Sequence, residues 1–206
     1  MDRRKIIATV LISVGIVIMA VPFYWHFTGK HRTEQLLTHY EKTIELKQEE
    51  DDEEEAINES EGEATLSEED AAILEEGNVI GIIEIESIGI RYPVIEGTGN
   101  AALNAGIGHI TETAGIGERG NCVLCGHNGS RYGTFFTPLC QVKTGDEVSV
   151  MDGSGEVHLY EVEETFVINP YDNSIKTQSK EKILTLFTCA NKGTMRFVAR
   201  CRAKEE

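Results

Sequence analysis

The sequence predicts an all-β domain with a few short helices, which follows one hydrophobic helix and an acidic segment. Short runs rich in Val, Ile and Thr recur between Val79 and Arg202 and are separated by glycine-rich turns. Repeated short strands favour a closed barrel or a sandwich. An uncharged apolar stretch occupies Ile6–Trp25, and an acidic stretch occupies Glu49–Glu76. The 206 residues are enough for one ordinary domain with these additions.

The apolar stretch Ile6–Trp25 is about as long as the ~20 residues that cross a bilayer core as a helix. Arg3, Arg4 and Lys5 precede it, and the positive-inside tendency places that end in the cytoplasm. We therefore predict a cytoplasmic tail at residues 1–5, a single-pass anchor in the plasma membrane at residues 6–27, and an extracellular remainder. A cleaved signal peptide is the alternative, but the run exceeds a ~7–15-residue h-region and no A-x-A-like site follows it.

The acidic stretch accounts for nearly all of the net charge. Glu49–Glu76 holds fifteen acidic residues and no Lys or Arg, which leaves about −1 of the total of −16 for the rest of the chain. The remainder has no basic stripe of the kind that binds phosphates, so nucleic acid is excluded as a partner. A run of like charges stays solvated, so residues 28–66 are predicted to form a partly helical, acidic extracellular linker.

Two short helices are predicted before the strands begin. Residues 31–48 show a weak helical periodicity, carried by Leu36, Leu37, Tyr40 and Ile44. Further on, Ser67–Asp70 has the form of a capping box and Gly77 is a plausible stop, which predicts a helix over Ser67–Glu76. This helix would open a catalytic domain spanning residues 67–206.

The predicted strands begin with a hairpin over Val79–Ile95, which turns at Ser87-Ile-Gly89. Five more strand-like runs follow in the sequence, at Cys122–Cys125, Glu147–Met151, Val157–Ile168, Ile183–Cys189 and Arg196–Arg202.

The strand that ends at Cys189 carries the candidate nucleophile. Period-two alternation puts Thr185, Phe187 and Cys189 on one face, with Leu184, Leu186 and Thr188 on the other. A thiol at a strand end can be rigid and still reachable, whereas a buried thiol behaves as a small hydrophobic group.

Two further residues could assist such a thiol. Arg196 begins the next strand after a short loop, and its guanidinium could stabilise a thiolate or the oxyanion formed when a thiol attacks an amide. His127 follows another short strand, and an imidazole exchanges protons near neutral pH. Together these groups are what thiol acyl transfer needs, although the spacing alone does not bring them together.

At these residues the chain resembles the sortases, whose signature is a Thr-Leu-x-Thr-Cys strand, a later Arg and an upstream Gly-His pair. Here these are Thr185–Cys189, Arg196 and Gly126-His127. The resemblance runs from about Val79 to Arg202 and includes five other segments in the expected order: Pro93–Thr98, Gly106–His109, Gly120-Asn121, Phe135–Leu139 and Lys143–Asp146.

The resemblance implies a closed eight-stranded sortase-like β-barrel and a cysteine transpeptidase of the Gram-positive cell surface. The enzyme would cleave a Leu-Pro-x-Thr-Gly-like sorting signal on secreted proteins and pass the acyl group to an amine, such as that of a peptidoglycan precursor. Cys189 would form a thioester with the Thr carbonyl, and His127 would move the protons. Arg196 and Thr188 would hold the substrate and the oxyanion. No cofactor or metal is expected.

Two departures from the family pattern affect the details. The loop between Cys189 and Arg196 is short, which makes Arg200 a rival for Arg196, although Arg196 begins its strand as the family's Arg does. Asn128 stands where many single-anchor sortases have Arg. The class D-like group fits best, and the class B-like group comes next.

Other interpretations of the site are weaker. Cys122-Val-Leu-Cys125 could indicate a thiol-disulfide exchanger, but on a strand the two side chains point to opposite faces. A noncatalytic tethered barrel that binds wall peptides is a second alternative. His109 is a rival base, but its glycine-rich surroundings predict a turn.

Overall fold

The structure, a computed structural model, describes residues 11–16, 18–20, 33–46, 79–129 and 134–204. Residues 11–16 and 18–20 are helical, and side chains such as Leu11, Ile12 and Met19 are exposed. In this part of the chain, no helix combines the length and apolar character needed to cross a membrane. The predicted cytoplasmic tail, most of the acidic run and the predicted helix Ser67–Glu76 lie outside the described residues. The boundary at residue 67 therefore stays a prediction.

Eight strands form a closed barrel in the order β1-β2-β3-β4-β7-β8-β6-β5. They are β1 Val79–Ile85, β2 Ile90–Glu96, β3 Ile107–His109, β4 Gly120–Gly126, β5 Glu147–Asp152, β6 Val157–Ile168, β7 Lys182–Ala190 and β8 Met195–Ala203. Of the two architectures that the strand pattern allows, the barrel is confirmed. Among the described residues, two α-helices flank it, α1 over residues 33–46 and α2 at Asn100–Ala105.

The strands follow the alternation in the sequence. The predicted hairpin is formed by β1 and β2, and its turn ends at Gly89, which has a φ of 63°. The predicted strand Val157–Ile168 has the bounds of β6. The inward side chains of the barrel are apolar and buried, and they include Ile83, Val94, Leu124, Val148, Leu184 and Leu186.

Helix α1 packs against the barrel. Its four buried apolar side chains are the ones that the periodicity identified, Leu36, Leu37, Tyr40 and Ile44. They contact an apolar cluster that includes Ile82 and Ile95. This part of the predicted linker is thus in contact with the barrel.

One parallel pair of strands determines where the site lies. Strand β4 runs parallel to β7, with Gly126 beside Thr188 at the end of the pair. Because parallel strands end at the same edge, the residues that follow β4 meet the end of β7. Strand β8 is antiparallel to β7, so its first residues lie at the same edge.

Candidate active site

Cys189 lies near the end of β7 and is half-buried, with a free thiol. Leu184 and Leu186 belong to the barrel core, so the alternation places Cys189 on the outer face with Phe187. The predicted face of Cys189 is therefore confirmed. The strand fixes the backbone of this residue, while its outward position gives a substrate access to sulfur.

Arg196 lies directly opposite Cys189 in the β7–β8 pair. Side chains of directly opposed residues in an antiparallel pair share a face, with Cβ atoms about 4.5–5.5 Å apart. The Nη1 atom of Arg196 donates to the carbonyl oxygens of Gly193 at 3.0 Å and Met195 at 2.9 Å. The pairing thus sets Arg196 next to Cys189 in the sheet, and the carbonyl oxygens of Gly193 and Met195 hold its guanidinium.

The rival Arg200 is engaged elsewhere. It pairs with Thr185 across β7 and β8, four residues before Cys189. Its Nη1 donates to the Glu164 carboxylate at 2.9 Å, and its guanidinium carbon lies 5.2 Å from the centre of the Phe166 ring. These contacts hold Arg200 against β6.

His127 follows the last residue of β4 and is half-buried. Its ring meets the edge of Phe135 at a centroid distance of 6.2 Å, and its carbonyl oxygen accepts a hydrogen bond from Phe136 N–H at 3.1 Å. Position 126, just before His127, favours glycine because a Cβ there would lie 2.7 Å from Ile107 Cδ1. The Gly-His pair thus combines close packing with an imidazole at the strand edge.

Asn128 connects the histidine segment to the cysteine. Its Nδ2 donates to the backbone carbonyl of Cys189 at 2.6 Å. From the sequence alone, Asn128 was notable only as a departure from the family pattern. A short polar side chain directly after the histidine is the one signal that could have identified this contact.

Thr188 is buried on the opposite face of β7 from Cys189. Its hydroxyl donates to the carbonyl oxygen of Gly126 at 2.8 Å. The structure therefore brings Cys189, Arg196 and the His127 segment to one edge of the barrel. The Thr188 hydroxyl instead bonds across the pair of strands β4 and β7.

The other four thiols lie in different surroundings. Cys140 is exposed, while Cys122, Cys125 and Cys201 are buried. Burial raises the pKa of Cys122 and of Cys201 to about 12. Burial, and after it the charge of Cys189, raises the pKa of Cys125 to about 12. Cys122 points into the core and Cys125 does not, as predicted, so the C-x-x-C pair is not arranged as a redox motif.

His109 lies in β3, so the turn predicted for it is wrong. The strand was missed because it has three residues and a glycine at its centre. The His109 ring is buried: Nδ1 contacts the Glu96 carboxylate at 3.0 Å, and Nε2 contacts the Ala114 carbonyl oxygen at 3.0 Å. These contacts give His109 a structural position inside the fold.

A family model described as Sortase domain matches residues 83–204, more than half of the chain. The chain belongs to the sortase family. It is 28% identical to Sortase D of Bacillus subtilis (strain 168) over 187 residues, which cover 90% of this chain and 89% of that protein. It is also 28% identical to Sortase A of Bacillus anthracis over 188 residues, which cover 91% and 87% of the two chains.

A solved structure of a Clostridium perfringens Sortase D5 transpeptidase superimposes on this sortase with a TM-score of 0.61 and 26% identity, covering 86% of this chain and 99% of that one. Sortases are cysteine transpeptidases that act by acyl transfer, and this chain is one of them. The noncatalytic barrel and the thiol-disulfide exchanger are thereby set aside.

Proposed function

We propose that this sortase cleaves an LPxTG-like sorting signal through a Cys189 thioester and transfers the acyl group to a cell-wall or protein amine. The observation that carries the proposal is the meeting of three elements at one edge of the barrel. Cys189 and Arg196 are directly opposed there, and the segment of His127 is tied to Cys189 through Asn128.

The proposed reaction begins when the Cys189 thiolate attacks the carbonyl carbon of the substrate Thr. The oxyanion that forms is stabilised by the Arg196 guanidinium. The C–N bond then breaks, and His127 gives its proton to the leaving amine. An incoming amine attacks the thioester, His127 takes up its proton, and the Cys189 thiolate leaves.

Thr188 was assigned to the substrate and the oxyanion by resemblance. Its buried hydroxyl and its bond to Gly126 favour a positioning role, in which it fixes the end of β4 against β7. We therefore propose that Thr188 acts on catalysis by holding His127 and Cys189 in register.

The sorting signal can be tested with the full-length protein in detergent micelles. We expect it to cleave a fluorogenic LPxTG-like peptide and, with triglycine added, to form the corresponding amide product. A peptide with the same composition and a scrambled motif is the control. Equal cleavage of the scrambled peptide, or hydrolysis without any amide product, would contradict the proposed specificity.

Asn128 is proposed as a positioning residue. A neutral hydrogen bond is worth about 0.5–1.5 kcal/mol, so Asn128→Ala should lower kcat roughly threefold to tenfold with little change in KM. Lys180→Ala, an exposed change just before β7 and so at the opposite end of that strand from Cys189, is the control. A rise in KM with kcat unchanged would assign Asn128 to substrate binding instead.

We further propose that residues 6–27 anchor the enzyme in the plasma membrane with its N-terminus in the cytoplasm. Protease added to intact cells stripped of their wall should then release the domain after His26. Protection of the domain in these cells, with digestion after lysis, would reverse the orientation.

The class D-like assignment is also a proposal. It is supported by the similarity to Sortase D of Bacillus subtilis and to the Clostridium perfringens Sortase D5 transpeptidase. Sortase A of Bacillus anthracis is equally similar in identity, so overall identity does not separate the classes. The same peptide assay can be run with sorting signals that vary at each motif position. The residues that the enzyme prefers at these positions would then distinguish the sortase classes.

A further inference from the structure

A second cluster of reactive side chains lies at the turn between β5 and β6. Asp152, Glu156 and His158 each offer one ligand atom, and these atoms lie within 4.8 Å of one another. His158 Nε2 is 2.8 Å from Asp152 Oδ2, and its Nδ1 is 3.7 Å from Glu156 Oε1. The spacing of these three residues matches no common metal-binding motif. The β5–β6 hairpin brings their side chains together.

The cluster lies at the opposite end of the barrel from the proposed catalytic residues. Strand β6 starts at this hairpin, and its last residue, Ile168, pairs with Arg196. Arg196 in turn pairs with Cys189. The length of β6 therefore separates the cluster from the thiol.

An independent feature of helix α1 points at the same hairpin. Tyr40 is only 8% exposed, and among the described residues its hydroxyl is the one buried side-chain polar atom without a hydrogen-bond partner. The hydroxyl is 3.6 Å from where a Cβ on Gly153 would stand, next to Asp152. Burial, and after it the charge of Asp152, raises the pKa of Tyr40 to about 12. A buried hydroxyl without a partner is costly, so a hydrogen-bond acceptor at this position would stabilise the fold.

The imidazole of His158 is held in place by the backbone. A Cβ on Gly117 would lie 2.2 Å from His158 Cε1, so the glycine lets the β3–β4 loop lie flat on the ring. The φ of 73° at Gly117 also favours glycine. Glu156, in contrast, is 69% exposed and free to move toward a ligand.

We propose that Asp152, Glu156 and His158 bind a divalent transition-metal ion of the Zn²⁺ type, with the Tyr40 hydroxyl donating a hydrogen bond to one of its ligands. One imidazole and two carboxylates suit Zn²⁺, which binds N and O ligands at about 2.0–2.2 Å, whereas Ca²⁺ takes six to eight oxygens. Two ligands around such an ion are about 3–4 Å apart. Asp152 and Glu156 contact opposite ring nitrogens of His158, so the exposed Glu156 carboxylate must move to the Nε2 side to complete the site.

The metal ion would join three parts of the chain. The β5–β6 hairpin supplies the ligands, the β3–β4 loop supports His158, and α1 approaches through Tyr40. Binding would therefore fasten α1 to the barrel at the end opposite Cys189.

The test is calorimetric titration of the full-length protein in detergent micelles with ZnCl₂ alone. Cys140 and Cys189 are both replaced by alanine, because an accessible thiol also binds Zn²⁺. We expect one Zn²⁺ per chain and a thermal midpoint raised by roughly 5–10 °C at a hundredfold excess over Kd. Glu156→Gln and His158→Gln should each weaken binding at least tenfold, and Tyr40→Phe about tenfold.

His39→Gln, which changes an exposed histidine on α1, should bind Zn²⁺ like the parent. Glu156→Gln removes an exposed group, so it gives a result even if His158→Gln does not fold. Unchanged affinity in Glu156→Gln, a folded parent that takes up no Zn²⁺, or equal binding of Ca²⁺ would each overturn the proposal.

Discussion

Replacing Cys189 with alanine is expected to abolish both peptide cleavage and amine transfer. The proposed route passes through a bond to this sulfur, and no alanine atom can form it, so the loss should be at least about 10⁴-fold. Initial rates with the fluorogenic peptide, with and without triglycine, measure both reactions. Circular dichroism checks that the barrel remains folded.

The other four cysteines provide matched controls. Cys140→Ala removes the exposed thiol and should leave both rates unchanged. Cys122→Ala, Cys125→Ala and Cys201→Ala remove thiols whose pKa burial raises to about 12, so they should retain the chemistry even where packing losses lower the thermal midpoint. If the rates of Cys140→Ala fell as far as those of Cys189→Ala, the nucleophile would be misassigned.

His127→Ala and Arg196→Ala are expected to cause the next largest losses of activity. A general acid and base contributes about 10²–10⁴-fold, and one oxyanion donor contributes about 10²–10³-fold. Both variants should keep the fold, because both side chains lie at the strand edge and not in the core. Steady-state values of kcat/KM measure the losses.

Arg200→Ala is the matched control for Arg196→Ala, because it removes a guanidinium from the same strand and face. Its contacts are with Glu164 and Phe166, so its loss should lower kcat/KM by less than about threefold, as for other partly exposed ion pairs. Arg196→Lys keeps the charge but loses the planar fork, so we expect partial activity. Equal losses in Arg200→Ala and Arg196→Ala would contradict the chosen oxyanion donor.

The strands and the face of the nucleophile could be predicted from local patterns. The alternation in β7 places Leu184 and Leu186 in the core and Cys189 outside, because side chains in a strand have a period of two. The four apolar residues of α1 were likewise visible as a helical stripe. Such patterns depend on neighbours in the sequence.

The meeting of the site residues could not be predicted in this way. The segment that carries His127 lies beside the end of β7 only because β4 pairs in parallel with β7, and about sixty residues separate the two strands in sequence. The bond from Asn128 to the Cys189 carbonyl depends on that pairing as well. The family resemblance predicted the grouping of the residues, while their spacing left it open.

Tyr40 illustrates a similar limit. Its place in the helical stripe predicts burial, but not that its hydroxyl would face a hairpin more than one hundred residues later in the chain. Asp152, Glu156 and His158 are brought together by the turn and the register of β5 and β6. Long-range strand pairing therefore creates the Cys189 site, whereas a local hairpin forms the second cluster and only the approach of Tyr40 to it is long-range.

The most direct measurement is mass spectrometry of the enzyme incubated with its sorting peptide while the amine is withheld. The proposed mechanism predicts an acyl adduct on Cys189 alone, which hydroxylamine discharges because the bond is a thioester. An adduct on another residue, or full turnover by Cys189→Ala, would contradict it.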